Sequence, residues 1–334
     1  MDTALPVPLP GSRPRVALNA FGAAFGLSGL AGTWTAVGKE LGGPRWVGEI
    51  LWVVAAVVWV STLAAYLARA GGVKRVVADL RDPVLAPFAA LVPITASLLG
   101  AHLVSVAPAA GRAVVVVAVI VTLAFGAWFT GQTFVEPRDT ATLHGGYLLP
   151  TVAGSFLSGQ ALAVAGHHTL GVGLVAAGVM FWLLLGAVLL VRFLTGPRLP
   201  GQLLPTLAIV SAPPAVAGNA WWVVAGAPTD LTLASAAVHL ALAGAMVLLL
   251  APHAALLGRY ARLRFTTGFW AFTFTAASSA TYTVHLLGLV DGGGARAGAW
   301  ATVAAATVLI GGIGVRSLVG LASGLRAPAR RRVA

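Results

Sequence analysis

The run 145–193, GGYLLPTVAGSFLSGQALAVAGHHTLGVGLVAAGVMFWLLLGAVLLVRF, holds two apolar stretches of different character, joined at His167-His168. The first, 145–166, is interrupted by Pro150 and carries Thr151, Ser155 and Ser158; the second, 170–193, has no hydroxyl and is unbroken through MFWLLLGAVLLV. A hydrocarbon core about 30 Å thick is crossed by about 20 helical residues at about 1.5 Å each, and both stretches are long enough. A proline inside such a helix frees a backbone carbonyl that lipid cannot satisfy. The first stretch is therefore expected in a wet protein interior and the second against lipid, as the inner and outer members of one hairpin.

The same pairing runs along the chain. Ten segments can span a membrane: 15–37, 46–69, 85–107, 112–135, 145–166, 170–193, 204–226, 231–256, 266–290 and 297–321. Spans 1, 3, 5, 7 and 9 carry nineteen Ser and Thr against ten in the even spans. Six prolines (Pro87, Pro93, Pro150, Pro205, Pro213 and Pro214) fall in odd spans, and Pro252 alone in an even one. Pro93, Pro150 and Pro213 recur at similar depth, with Thr275 at the matching place in span 9, spaced by about 60 residues, the length of one hairpin with its loops. The expected fold is an all-α polytopic membrane protein, with ten transmembrane helices as five helical hairpin repeats. The odd helices form an inner pore, kinked at Pro93, Pro150, Pro213 and Pro214, and the even helices form an outer layer.

Composition agrees. Of 334 residues, 58% are hydrophobic and 9% charged, where a soluble domain carries about 25% charged residues. That excludes a soluble enzyme, a nucleic-acid binder and a disordered chain, even at a net charge of +12. The basic residues fall between the spans instead: seventeen lie on the side of the two termini, against Lys39, Arg45, Arg112 and Arg296 on the other. The positive-inside rule places both termini in the cytoplasm, as expected of a protein of the plasma membrane. Residues 1–14 read as a cytoplasmic leader without signal-peptide order, 15–321 as the membrane domain, and 322–334 as a basic cytoplasmic tail whose Arg330-Arg331-Arg332 anchors to anionic headgroups.

Deep ionisable groups are scarce. Glu49 and Glu136 sit at span ends, and His239, His285 and His102 read as helix-packing residues rather than proton carriers. With no Cys, and only His167-His168 as a local pair, neither a metal site nor a cofactor is expected. No acid–base constellation for a membrane enzyme is visible, so the chain reads as a non-enzyme. Hydroxyls and proline-freed backbone without an acidic ring suit small inorganic or organic anions better than cations. The expected pore lining is Ser28, Thr95, Thr151, Ser155, Ser211, Thr273 and Ser278. Gly22, Gly26, Gly29 and Gly32 read as a close-packing face of span 1, and Trp34, Trp46, Trp221, Trp222 and Trp300 as interfacial anchors.

LNAFGAAFGLSGLAGTW (18–34) and RFTTGFWAFTFTAASSAT (264–281), supported by GGYLLPTVAG (145–154) and SAPPA (211–215), resemble the tellurite-resistance/dicarboxylate transporter family. That family includes TehA-like bacterial proteins, fungal malate transporters and plant guard-cell slow anion channels. The resemblance implies five hairpins around a pore in each subunit of a homotrimer. It carries the family's pore-occluding phenylalanine to Phe274, with Phe272 in reserve, and Thr275 stands where the family has proline. It implies a gated anion channel or uniporter, or alternatively a secondary, proton-coupled transporter of C4-dicarboxylate or tellurite-like oxyanions.

Overall fold

The computed structural model describes residues 16–326 and is all helical, with no strand among them. The leader, Arg330-Arg331-Arg332 and most of the basic tail lie outside the described residues. The odd spans are Leu18–Glu40, Ala86–Leu103, Gly145–Val164, Leu204–Val224, and Thr267–Trp270 running into Ala271–Gly288. The even spans are Arg45–Ala70, Pro108–Val135, His168–Thr195, Leu233–Tyr260 and Gly293–Arg326. Among the described residues, nine helices are long and apolar enough to cross a membrane by length and composition. Span 9 falls short because AFTFTAASSATYTVHLLG is rich in hydroxyls; it is the most polar rod of the inner set.

Inner and outer helices differ in build. Every odd span opens with a 3₁₀ turn: Leu18–Phe21, Ala86–Ala90, Gly145–Leu148, Leu204–Thr206 and Thr267–Trp270. Each then passes into α-helix, span 5 by way of a π turn at Leu149–Ala153. The prolines explain where the change occurs. Pro213 starts its α segment and Pro93 sits in the first turn of its own, where a missing N–H costs least. Pro150 widens span 5 into the π turn, and span 4 makes room with Gly126, where a Cβ would lie 2.8 Å from the Pro150 carbonyl oxygen. The even spans are helices of 26 to 34 residues, of which span 8 kinks at Ala236 and carries Pro252 in its interior.

Contacts follow the hairpin order. Each odd span packs on its following even span, and the odd spans close a ring in the order 1–3–5–7–9–1. Burial divides the same way. Within their most apolar windows, spans 1, 3, 5 and 7 are 61–83% buried, and the even spans only 17–33%. A helix that is apolar all round yet this exposed needs lipid on its outer face.

One element was not legible as a helix. Val73–Arg81, VKRVVADLR, forms a short amphipathic helix between spans 2 and 3 with no buried residue. Tyr66 Oη donates to Asp79 Oδ2 at 3.1 Å and ties it to span 2.

Candidate functional site

The ring of odd spans encloses a cavity of about 80 Å³ that takes residues from all five. Its polar lining is Asn19, Gln202, Thr206, Thr267 and Thr275, and among the described residues no Asp, Glu, Lys, Arg or His borders it. The deeper wall is apolar, with Phe25, Leu91, Val152, Val216 and Phe274 each contributed by a different odd span.

Phe274 and Phe25 meet there face to face, ring centroids 3.7 Å apart and planes 11° from parallel. Glycines bring the two helices that close. A Cβ at Gly26 would lie 1.9 Å from Thr273 Oγ1, and one at Gly29 would lie 2.9 Å from Phe274 Cδ2. Gly22 approaches Trp270 Cβ similarly, at 3.1 Å. The close-packing face of span 1 is thus Gly22, Gly26 and Gly29. Gly32 departs from it, because a Cβ there meets open space. Phe272 does not border the cavity; it packs edge-on against Tyr260 and Phe269 at 4.9 and 5.8 Å.

Thr275 has a defined task in place of proline. In span 7, Ala212 N–H bonds to Ile209 O at 3.3 Å in 3₁₀ fashion just before Pro213. Ala208 O therefore loses the partner it would have in an α-helix, and Thr275 Oγ1 donates to it at 2.8 Å. One hydroxyl of span 9 caps the break in span 7 and borders the cavity as well.

The seven hydroxyls expected to line the pore do not border this cavity. Three fold back on their own helix: Ser28 to Ala24 O at 2.9 Å, Thr273 to Trp270 O at 2.7 Å and Ser278 to Thr275 O at 3.2 Å. A helical hydroxyl can be satisfied by the preceding turn without pore water, so residue type alone does not report whether it borders the cavity. Ser211 turns to the outer layer, donating to Leu249 O and meeting His253 Nε2, both at 2.8 Å. Thr151 faces span 4, its methyl 3.8 Å from where a Gly126 Cβ would stand. Thr95 and Thr151 keep buried hydroxyls with no hydrogen-bond partner among the described residues, and Ser155 is buried.

A different regularity does appear. Ser28, Thr95, Ser155 and Ser278 lie three or four residues beyond the cavity residues Phe25, Leu91, Val152 and Phe274 of their own spans. Span 7 supplies Asn219, three residues beyond Val216, at the same place. All five are buried. Asn219 donates from Nδ2 to Ser278 O at 2.8 Å, leaving Oδ1 unpartnered among the described residues. Sequence reasoning passed over Asn219; its signal was an amide inside the apolar run PPAVAGNAWW.

The two ends of the helix ring are tied differently. Where the odd spans begin, buried His144 meets Val84 O through Nε2 at 2.9 Å and accepts Gly146 N–H on Nδ1 at 3.1 Å. Burial pushes this imidazole down to about 4. Its ring lies against Phe88, which, like Val84, borders the cavity. At the other end, two histidines each sit on a tryptophan and reach a glutamate. His285 stacks on Trp222 at 4.6 Å with Glu40 at 3.3 Å, and His102 stacks on Trp52 at 4.7 Å with Glu49 at 3.1 Å. His239 is a packing residue bonded to Tyr282. Trp222 is buried and so is a helix clamp, not the interfacial anchor expected; Trp46, at 65% exposure, keeps that character. Trp34 is likewise tied inward, its Nε1 donating to Thr307 Oγ1 at 3.2 Å.

A model of the voltage-dependent anion channel family matches residues 15–318, nearly the full length of the helix ring and its outer layer. The chain is also similar to the tellurite resistance protein TehA homolog of Haemophilus influenzae, 30% identical over 227 residues. That alignment covers 66% of this chain and 66% of the relative, just under two thirds of each.

Proposed function

The chain belongs to the voltage-dependent anion channel family, and we propose that it carries anions across a membrane as a gated channel or uniporter closed by Phe274. The observation that carries this reading is the Phe25–Phe274 stack at 3.7 Å inside a ring of helices whose described residues put no charge on the cavity wall. An apolar constriction stops ions because a hydrated anion cannot shed its water there at low cost. Just beyond, Ser28, Thr95, Ser155, Asn219 and Ser278 supply the polar step onto which an anion passes once the rings part. Thr151, Ser211 and Thr273 act on the helices that hold this path. Pro93, Pro150, Pro213 and Pro214 set the breaks that let apolar rings and polar groups share one axis.

The basic side of the protein gathers anions toward the mouth at Asn19, Gln202 and Thr267. The resemblance adds a homotrimer with one conduit per subunit, in the plasma membrane with both termini cytoplasmic.

Planar-bilayer or liposome anion flux tests the plug. Phe274→Ala should raise anion current at least about tenfold, as expected when about 1.4 kcal/mol of barrier is removed. Phe25→Ala should raise it too, and Phe272→Ala should leave it near wild type. Unchanged current in Phe274→Ala overturns the plug. Saturable flux that requires a proton gradient assigns the chain to coupled transport of a dicarboxylate or tellurite-like oxyanion instead.

A further inference from the structure

A second pocket lies away from the conduit, at the end where the odd spans begin. It has a volume of about 450 Å³ and takes residues from the end of span 6, the link 196–203, the start of span 7 and the end of span 8. Three of its lining residues are arginines, Arg192, Arg198 and Arg259, and among the described residues no carboxylate borders it. Arg192 is only 3% exposed. Its Nη1 donates to Pro197 O at 2.6 Å, while Nε and Nη2 have no hydrogen-bond partner among the described residues. The link is folded tightly around this side chain: a Cβ at Gly196 would lie 2.7 Å from Arg192 Nη1.

A guanidinium stays charged at any physiological pH, offers five N–H donors, and is costly to bury without an anion. One neutral carbonyl does not balance it. The neighbouring arginines worsen the repulsion, so the arrangement is electrostatically incomplete as it stands. A phosphate oxyanion, which pairs with guanidinium in bidentate fashion, completes it.

We propose that Arg192, Arg198 and Arg259 form a binding site for a phosphate group, supplied by an anionic phospholipid of the leaflet on the basic side. The lipid source is favoured by the rest of the wall. Phe193, Leu199, Leu204 and Leu207 place apolar surface beside the three charges, and Leu194 and Leu257, one residue after Phe193 and two before Arg259 on the outer helices, are 76% and 64% exposed. That combination fits a headgroup phosphate with the start of its acyl chains. The site also touches the conduit through one wall: Leu204 and Leu207 face the arginine pocket while Leu203 and Thr206 border the central cavity. The site stands independently of the Phe274 reading.

The test uses the purified full chain in a zwitterionic detergent and reads thermal unfolding, since a ligand bound only by the folded state raises the transition. Dihexanoyl phosphatidylglycerol is titrated beside dihexanoyl phosphatidylcholine and inorganic phosphate. Phosphatidylglycerol is expected to raise the transition saturably, with phosphatidylcholine and phosphate much weaker. The double variant Arg198→Ala/Arg259→Ala, which leaves buried Arg192 in place, should weaken apparent affinity about tenfold or more. Arg75→Ala/Arg81→Ala, which removes two charges outside the pocket, should leave it unchanged. Equal shifts with phosphate alone overturn the lipid source and assign a soluble phosphate ligand. Equal shifts with phosphatidylcholine, or a shift that survives the double variant, overturn the site.

Discussion

At the scale of single residues, Thr275 and His144 show how this chain satisfies polar atoms that lipid would leave stranded. Thr275→Val keeps the shape but leaves Ala208 O without its donor. A buried unsatisfied carbonyl costs about 1–3 kcal/mol, so Thr275→Val should unfold earlier in detergent by that much, while Thr275→Ser should stay near wild type. A transition unchanged in the valine variant would show that the break in span 7 does not depend on this hydroxyl. His144 makes a pH prediction. Its folded value of about 4 lies below the ordinary 6.5, so the folded state disfavours the imidazolium that the unfolded chain accepts. The stabilising contribution is complete above pH 6.5 and is lost as pH falls from there toward 4, by up to about 3 kcal/mol. Unfolding temperatures across that window should fall more steeply for the wild type than for His144→Gln. Identical slopes would remove His144 from the balance.

At the scale of the helix, the seam between spans 1 and 9 decides whether the two aromatic rings can stack. Gly26→Ala drives a Cβ to 1.9 Å from Thr273 Oγ1 and 2.6 Å from Thr273 Cβ, so rotation of the hydroxyl cannot relieve it. Overpacking of this kind costs about 1–3 kcal/mol and pushes the helices apart. Gly32→Ala meets open space and gains up to about 1 kcal/mol of helix propensity. Opposite signs in thermal unfolding are therefore expected from one substitution at two places in the same helix, and like signs would contradict the seam. The sequence showed the glycine periodicity but not which glycines are covered, because that depends on the helix opposite. The same limit applies to the pore. Proline depth and hydroxyl bias exposed the alternation of inner and outer spans, and the family motif led to Phe274. Which hydroxyls turn back on their own carbonyls, as Ser28 and Thr273 do, is set by rotamer, and residue type does not report it.

At the scale of the whole molecule, the ring and the charge distribution fix one axis with unlike ends. All five odd spans start at the same end, so their 3₁₀ openings, the mouth at Asn19 and Thr267, and the pocket of three arginines share one face. The His–Trp–Glu pairs occupy the other. Positive charge resists translocation when it flanks a span closely, and the arginine-rich connections here are short enough for that rule to govern. The basic face should therefore be cytoplasmic. The absence of cysteine makes the test clean. Ser105 lies in the exposed turn between spans 3 and 4, and Thr140 in the exposed link between spans 4 and 5, at opposite ends of span 4. In intact cells stripped of their outer barrier, a membrane-impermeant maleimide should label Ser105→Cys at once. Thr140→Cys should react only after the plasma membrane is opened. The reverse order would turn the molecule over and place the arginine pocket in the outer leaflet. Because the pocket and the cavity mouth share an end, that single result would also relocate the entrance at which anions are gathered.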